Sequence, residues 1–275
     1  MKNLLKISCL VPFACGILLF SACDSENDPM SEPDLSIVND DLEMNQAFED
    51  LNFLTISTLE SSGLGARTLA PANNDLCTTA KIIKDLVAKK ITIDFGAGCT
   101  SPNGMIRKGK IFLSYSGNLL FPGSTIVTTF EGYEVNGLKI QGTRTLTNLA
   151  INPTTKTVTL AVKIQTGKVT WPDNTFVTFV SDQIRALKLG DLGYEISVTG
   201  TASGKSRGGF DYSSLTSTAL NINQTCLQSG VYIPTTGILQ LTASGALFSV
   251  DYGNGICDKL VTLTYPGGTK IVTLD

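Results

Sequence analysis

The sequence predicts a mainly β protein, an antiparallel meander sheet or sandwich over residues 66–275 preceded by one N-terminal helix within residues 35–65. Three observations lead there. From Lys90 onward the apolar residues recur every second position, as in Val158, Leu160, Val162 and Ile164 alternating with Thr157, Thr159, Ala161 and Lys163, which buries one face of a strand and leaves the other polar. Turn-forming residues separate these runs. No clearly helical segment lies between the runs to carry a parallel crossover, so hairpins must join them.

Taken in order, the chain opens with Lys2 and Lys6, an apolar run from Leu10 to Phe20, and the small residues Ser21 and Ala22 directly before Cys23. This is the arrangement of a signal peptide, residues 1–22. The apolar run is shorter than the ~20 residues needed to span a bilayer. Leu19-Phe20-Ser21-Ala22-Cys23 resembles the lipobox of bacterial lipoproteins, although Phe20 stands where that family usually has Leu. The resemblance implies that the Cys23 thiol is lipidated and becomes the mature N-terminus, with the membrane as partner. Residues 23–34 are acidic, contain proline and lack a hydrophobic period, and read as a flexible tether. Its start, Asp24-Ser25-Glu26-Asn27-Asp28, is similar to the export signal that carries Bacteroidetes-type lipoproteins to the outer face of the outer membrane. The implied location is the outer membrane, lipid-anchored and exposed at the cell surface; the same acidic run also fits a plain solvated linker.

Met44, Ala47, Phe48, Leu51, Leu54 and Thr58 follow at helical spacing. Asp40 or Asp41 is placed to cap the helix start and Gly63 to end it, with the stripe expected to face the core. Strands are then expected at 91–93, 110–116, 125–135, 138–147, 157–165, 176–181, 194–199, 238–242, 247–251, 260–265 and 270–274. Asn103-Gly104, Asn136-Gly137, Pro172-Asp173-Asn174 and Pro266-Gly267-Gly268 supply turns between them.

Composition removes several functions. The chain has no histidine, so Ser-His-Asp and Cys-His catalysis and HExxH zinc sites are excluded, since each needs an imidazole. Losing residues 1–22 removes Lys2 and Lys6 and no acid, moving the formal net charge from −3 to −5. A nucleic-acid binder needs an extended basic surface instead. The densest basic groups, Lys81, Lys84, Lys89 and Lys90, then Arg107, Lys108 and Lys110, read as solvated faces.

Four cysteines remain besides Cys23: Cys77, Cys99, Cys226 and Cys257. In an exported protein they read as two disulfides with three connectivities open. An internal echo selects among them. Ile93-Asp94-Phe95-Gly96-Ala97-Gly98-Cys99 matches Val250-Asp251-Tyr252-Gly253-Asn254-Gly255-Ile256-Cys257 with one inserted residue, each preceded by a single other cysteine. This favours Cys77 with Cys99 and Cys226 with Cys257. No CxxC pair supports zinc, and neither a metal nor a cofactor is expected.

Two motifs are spurious. Gly200-Thr201-Ala202-Ser203-Gly204-Lys205-Ser206 is one residue short of a P-loop, and Arg207-Gly208-Gly209 follows where a helix must begin. Asp94-Phe95-Gly96 spells the kinase triplet without the other kinase motifs. Asp94 and Asp251 carry a real choice. They could be the paired carboxylates of a glycoside hydrolase, which must sit ~5 to 10 Å apart. Alternatively each caps a structural turn whose glycines take positive φ, and repetition beside a cysteine favours that, because acid and base need different environments.

These segments, with Arg107-Lys108-Gly109-Lys110-Ile111, Tyr133-Glu134-Val135-Asn136-Gly137 and Ile140-Gln141-Gly142-Thr143, resemble a group of β-rich outer-membrane lipoproteins of the Bacteroidetes type, over roughly residues 75–275. The resemblance lends no catalytic residues. The expectation is a membrane-anchored envelope or cell-surface lipoprotein with a non-catalytic binding or structural role, taking a glycan or protein ligand through its Thr-rich sheet face or loops. The alternative is a carboxylate-dependent glycoside hydrolase. Aromatic residues are only 7% of the chain, and the single tryptophan, Trp171, sits before Pro172 at a strand end, where a core or rim role is expected.

Overall fold

A computed structural model of the chain describes residues 35–65, 76–102, 104–190, 193–229 and 231–274. The signal peptide, Cys23 and the tether expected at 23–34 lie outside them, as does Asn103.

The described chain is mainly β. One helix, α1 (Ser36–Ser61), precedes a single antiparallel sheet of β1 (Lys81–Asp85), β2 (Lys90–Asp94), β3 (Cys99–Thr100), β4 (Ile106–Tyr115), β5 (Thr125–Val135), β6 (Leu138–Asn152), β7 (Thr157–Thr170), β8 (Phe176–Gly190), β9 (Gly193–Lys205), β10 (Asp211–Asn223), β11 (Thr236–Ala243), β12 (Ala246–Asn254), β13 (Leu260–Tyr265) and β14 (Gly268–Thr273), with a short α2 (Gln224–Gln228) after β10. Each strand pairs with its successor, except that β2 pairs directly with β4 and the two-residue β3 adds to β4. The architecture is a meander sheet, not a sandwich of two. Among the described residues no helix is long and apolar enough to cross a membrane.

The sheet curls around α1. Two glycines show how the strands bend. Gly109 and Gly142 adopt φ of 77° and 117°, and a Cβ on them would meet the Gly132 carbonyl oxygen at 2.1 Å and the Thr166 carbonyl oxygen at 2.7 Å. Both sit at register shifts, in the β4–β5 and β6–β7 pairings. A bulge at a glycine raises the local twist and coils the sheet.

α1 differs from expectation in two ways. It begins at Ser36 with Leu35 at the N-cap and no side-chain cap bond, so Asp40 and Asp41 are not caps but buried residues of the second turn. From Ala47 to Ile56 it is also buried on every side, not along one stripe, while Asn39 and Glu43 nearer its start stay exposed. Asp40, Asp41, Glu49, Asp50, Asn52 and Thr55 are as inaccessible as Val38, Met44, Leu51 and Leu54, which follows from a sheet that surrounds the helix. The C-terminus behaves as read: Gly63, at φ 73°, donates to the Glu60 carbonyl and Leu64 to the Leu59 carbonyl. This closes the helix with a Schellman motif.

Strands β1 and β10 were not expected. β1 is exposed at nearly every position. β10 reads Ser-Ser-Leu-Thr-Ser-Thr, with register shifts after Thr216 and Thr218 that break its alternation. Both disulfides are present, Cys77–Cys99 and Cys226–Cys257, with Cα atoms 6.1 and 5.0 Å apart. Loops of 22 and 31 residues are of a length whose closure removes roughly 3 to 4 kcal/mol of unfolded-state entropy each.

Candidate functional site

Asp94 ends β2 and Asp251 lies within β12, three residues before its end at the register shift of the β11–β12 pairing, with eight strands between them along the sheet. Their geometry is the same. The Asp94 Oδ1 accepts from the Gly96 amide at 2.8 Å and the Asp251 Oδ1 from the Gly253 amide at 2.9 Å, a pair of Asx turns. Gly96, Gly98, Gly253 and Gly255 all have positive φ. The intervening aromatics, Phe95 and Tyr252, turn inward and are 3% and 4% exposed. Asp94 thus turns the chain out of the sheet and Asp251 bends β12 at its bulge, while the next side chain in each case fills the core. Neither carboxylate lines the groove or the cavity described below.

The densest chemistry lies inside, where periodicity did not point. Arg107 on β4, Arg144 on β6 and Arg185 on β8 occupy inward positions on every second strand and reach α1. Arg107, expected on a solvated face, is fully buried. Its Nε donates to Asp50 Oδ2 at 2.9 Å and its Nη2 to Oδ1. Arg185 donates from Nη1 to Glu49 Oε2 at 2.8 Å and from Nη2 to Oε1. These forked pairs are the strong form of the contact. A buried ion pair adds little net stability, but losing one partner is costly, so such pairs fix where the helix docks. At the rim, Arg207 in the β9–β10 turn bonds Asp40 at 3.1 Å and Asp173 at 2.7 Å and covers the Trp171 ring at 4.8 Å. The Trp171 Nε1 donates to Glu43 Oε2 at 2.7 Å, tying the single tryptophan to α1.

Arg144 is different. Its Nη2 donates to the amide oxygen of Asn52, while Nη1 is buried with no partner. Burial, helped by the nearby Arg185 charge and opposed by Glu49, pushes its pKa down to about 9. It borders a polar cavity of about 50 Å³ between α1 and the inner face of β6–β11. The register explains the space: Arg144 pairs with Ile164, then Ser181, Ala202 and Ser214 follow across β8, β9 and β10. Three successive small residues leave room under the helix. Asp41 lies in the roof, where burial first and the Asp40 charge raise its pKa to about 7 against the bond from Asn45. The Tyr212 hydroxyl, in the wall, is buried without a partner. One signal in the sequence could have found these arginines: each stands at the same parity as the apolar residues of its strand, as Arg144 does with Ile140 and Leu146.

The outer face of the same strands forms an open groove of about 650 Å³ across β7–β11. Gln165, Thr201, Ser203, Ser213, Gln240 and Thr242 line it, with Val180 and Leu215 as its apolar spots. Its ion pair, Lys163 to Asp182 at 2.8 Å, leaves no net charge. Among the described residues no cluster of three or more Cys, Asp or Glu is placed to hold a metal. No protein-family model, curated protein or solved structure matches this chain.

Proposed function

We propose that the protein is a lipid-anchored envelope protein of the outer membrane with a non-catalytic binding role, tethered through Cys23 and presenting the outer groove of β7–β11 to an extended, uncharged polar ligand. The observation that carries this reading is the lining of the groove. Hydroxyl and amide side chains stand on four of its five hydrogen-bonded strands, β7, β9, β10 and β11, a rigid array of donors and acceptors suited to a neutral glycan or a polar peptide segment. The Lys163 and Asp182 charges balance within it, which suits a ligand without charge. Hydrolysis has less support, because the two aspartates that could have formed an acid-base pair each accept a local amide and are separated by most of the sheet.

The test has two arms. Cys23→Ser should release the protein from the membrane fraction, and continued membrane association would refute the anchor. In the second arm, the full chain in detergent is titrated by calorimetry with a panel of neutral oligosaccharides and uncharged peptides. Binding by the native protein that is lost in Ser203→Arg, at unchanged Tm, supports the groove. A panel member that binds the two proteins equally places the ligand elsewhere, and failure of every panel member to bind ends this reading of the groove.

A further inference from the structure

We propose that the cavity between α1 and the inner face of β6–β11 is a binding site for a small oxyanion, held by the Arg144 guanidinium. Of the three buried arginines that reach α1, two meet a carboxylate, Asp50 or Glu49. The third meets only the neutral amide of Asn52. Arg144 is 1% exposed, and a guanidinium so buried remains charged at neutral pH. An unpaired charge out of water is costly and calls for a counter-charge.

No other group in the cavity supplies that charge in full. Glu49 is engaged by both Nη atoms of Arg185. Asp41 is pushed up to about 7 by burial, so at neutral pH it is protonated about half the time. What the cavity offers instead is donors. The Arg144 Nη1 and the Tyr212 hydroxyl are both buried without partners, and Ser181 and Ser214 lie among the lining residues. Guanidinium and hydroxyl donors, beside a Glu49 carboxylate already engaged and an Asp41 held partly neutral, favour an oxyanion. A volume of about 50 Å³ holds roughly three or four water-sized groups, the bulk of a carboxylate group or a compact inorganic oxyanion. Asn45, Gln183 and Thr216 in its lining are only half-buried, which gives the ligand its way in.

The proposal is tested by thermal unfolding of the full chain in detergent, at fixed pH and ionic strength, with a bulky sulfonate as the background anion and sodium acetate, phosphate or chloride added in increasing amounts. The expected result is a saturable rise in Tm of several degrees with acetate or phosphate. The rise should vanish in Arg144→Met, which removes the charge, and in Asn52→Asp, which supplies a carboxylate from within the chain. It should persist in Arg207→Gln, whose arginine sits at the rim. If Arg144→Met does not fold, Asn52→Asp decides alone. A response to acetate only identifies the carboxylate of a small acid as the ligand, and a response to phosphate only identifies inorganic phosphate. No saturable rise in the native protein, an equal rise with chloride, or an undiminished rise in either cavity variant overturns the proposal.

Discussion

Replacing Asp50 by asparagine keeps the shape of the side chain and removes its charge. Arg107 then remains in place with its side chain 0% exposed and no carboxylate on its fork. Breaking a buried pair in this way costs about 3 to 5 kcal/mol, because the remaining ion is desolvated without compensation. For a domain of this size each kcal/mol lowers Tm by about 2 to 4 °C, so Asp50→Asn should unfold roughly 6 to 20 °C below the parent. The assay is built into the molecule. The single tryptophan, Trp171, donates to Glu43 of α1, so its fluorescence follows undocking of the helix during urea unfolding. The companion variant Asp50→Leu with Arg107→Met removes both charges and should recover most of the loss, since a well-packed apolar pair often equals or exceeds a buried ion pair. A cost under about 1 kcal/mol for the single variant, or an equal cost for the double one, would refute the claim that the pair anchors the helix.

Two further outcomes are expected. Asp94→Ala and Asp251→Ala should each cost about 1 kcal/mol and add independently, because the amides they release at exposed turns regain water in place of being stranded; a strongly non-additive double variant in urea unfolding would mean that the two corners communicate. Asp41 has a folded pKa near 7 against 3.8 in the unfolded chain, so its neutral form contributes stability that is full below about pH 4 and lost as pH rises through 7. A shift of about three units corresponds to about 4 kcal/mol. Asp41→Asn should therefore narrow the difference in urea midpoint between pH 5 and pH 8, and an unchanged difference would show that Asp41 is not the group responsible.

The strands with clean alternation were legible because period two and turn chemistry agree, as in β7, where Val158, Leu160, Val162 and Ile164 face inward and Asp173 caps the following turn through the Thr175 amide. The disulfides were legible because the chain repeats the corner beside each. What stayed hidden depends on the third dimension. A helix surrounded by sheet needs no polar face, so the carboxylates of α1, which on a surface helix mark the solvent side, mark the core side here. The strand arginines were hidden for the same reason: a charge at an inward position reads as an interruption until the partner on the helix is known. β10 was missed because Ser and Thr neither alternate in hydropathy nor break a strand. The cavity could not have been foreseen, since it arises from Ser181, Ala202 and Ser214 aligning across β8, β9 and β10 in a register that the turns and bulges of the folded sheet fix.

The position of α1 at the start of the domain and at the centre of the sheet constrains how the protein can assemble. Hairpins close between neighbours in the chain, so the meander can zip up from local contacts with little loop-closure entropy. The helix emerges first and cannot finish until late. Arg107 is 57 residues away from its partner, Arg185 is 136 and Arg207 is 167. Until those strands exist, α1 exposes its apolar side chains and the nascent sheet has an unfilled inner face, two sticky surfaces whose premature association with other chains is the main hazard. Docking the helix is then the step that completes the molecule, and the arginines act as a late checkpoint: a wrongly registered strand would bring its cation to an apolar turn of the helix, where it could not stay.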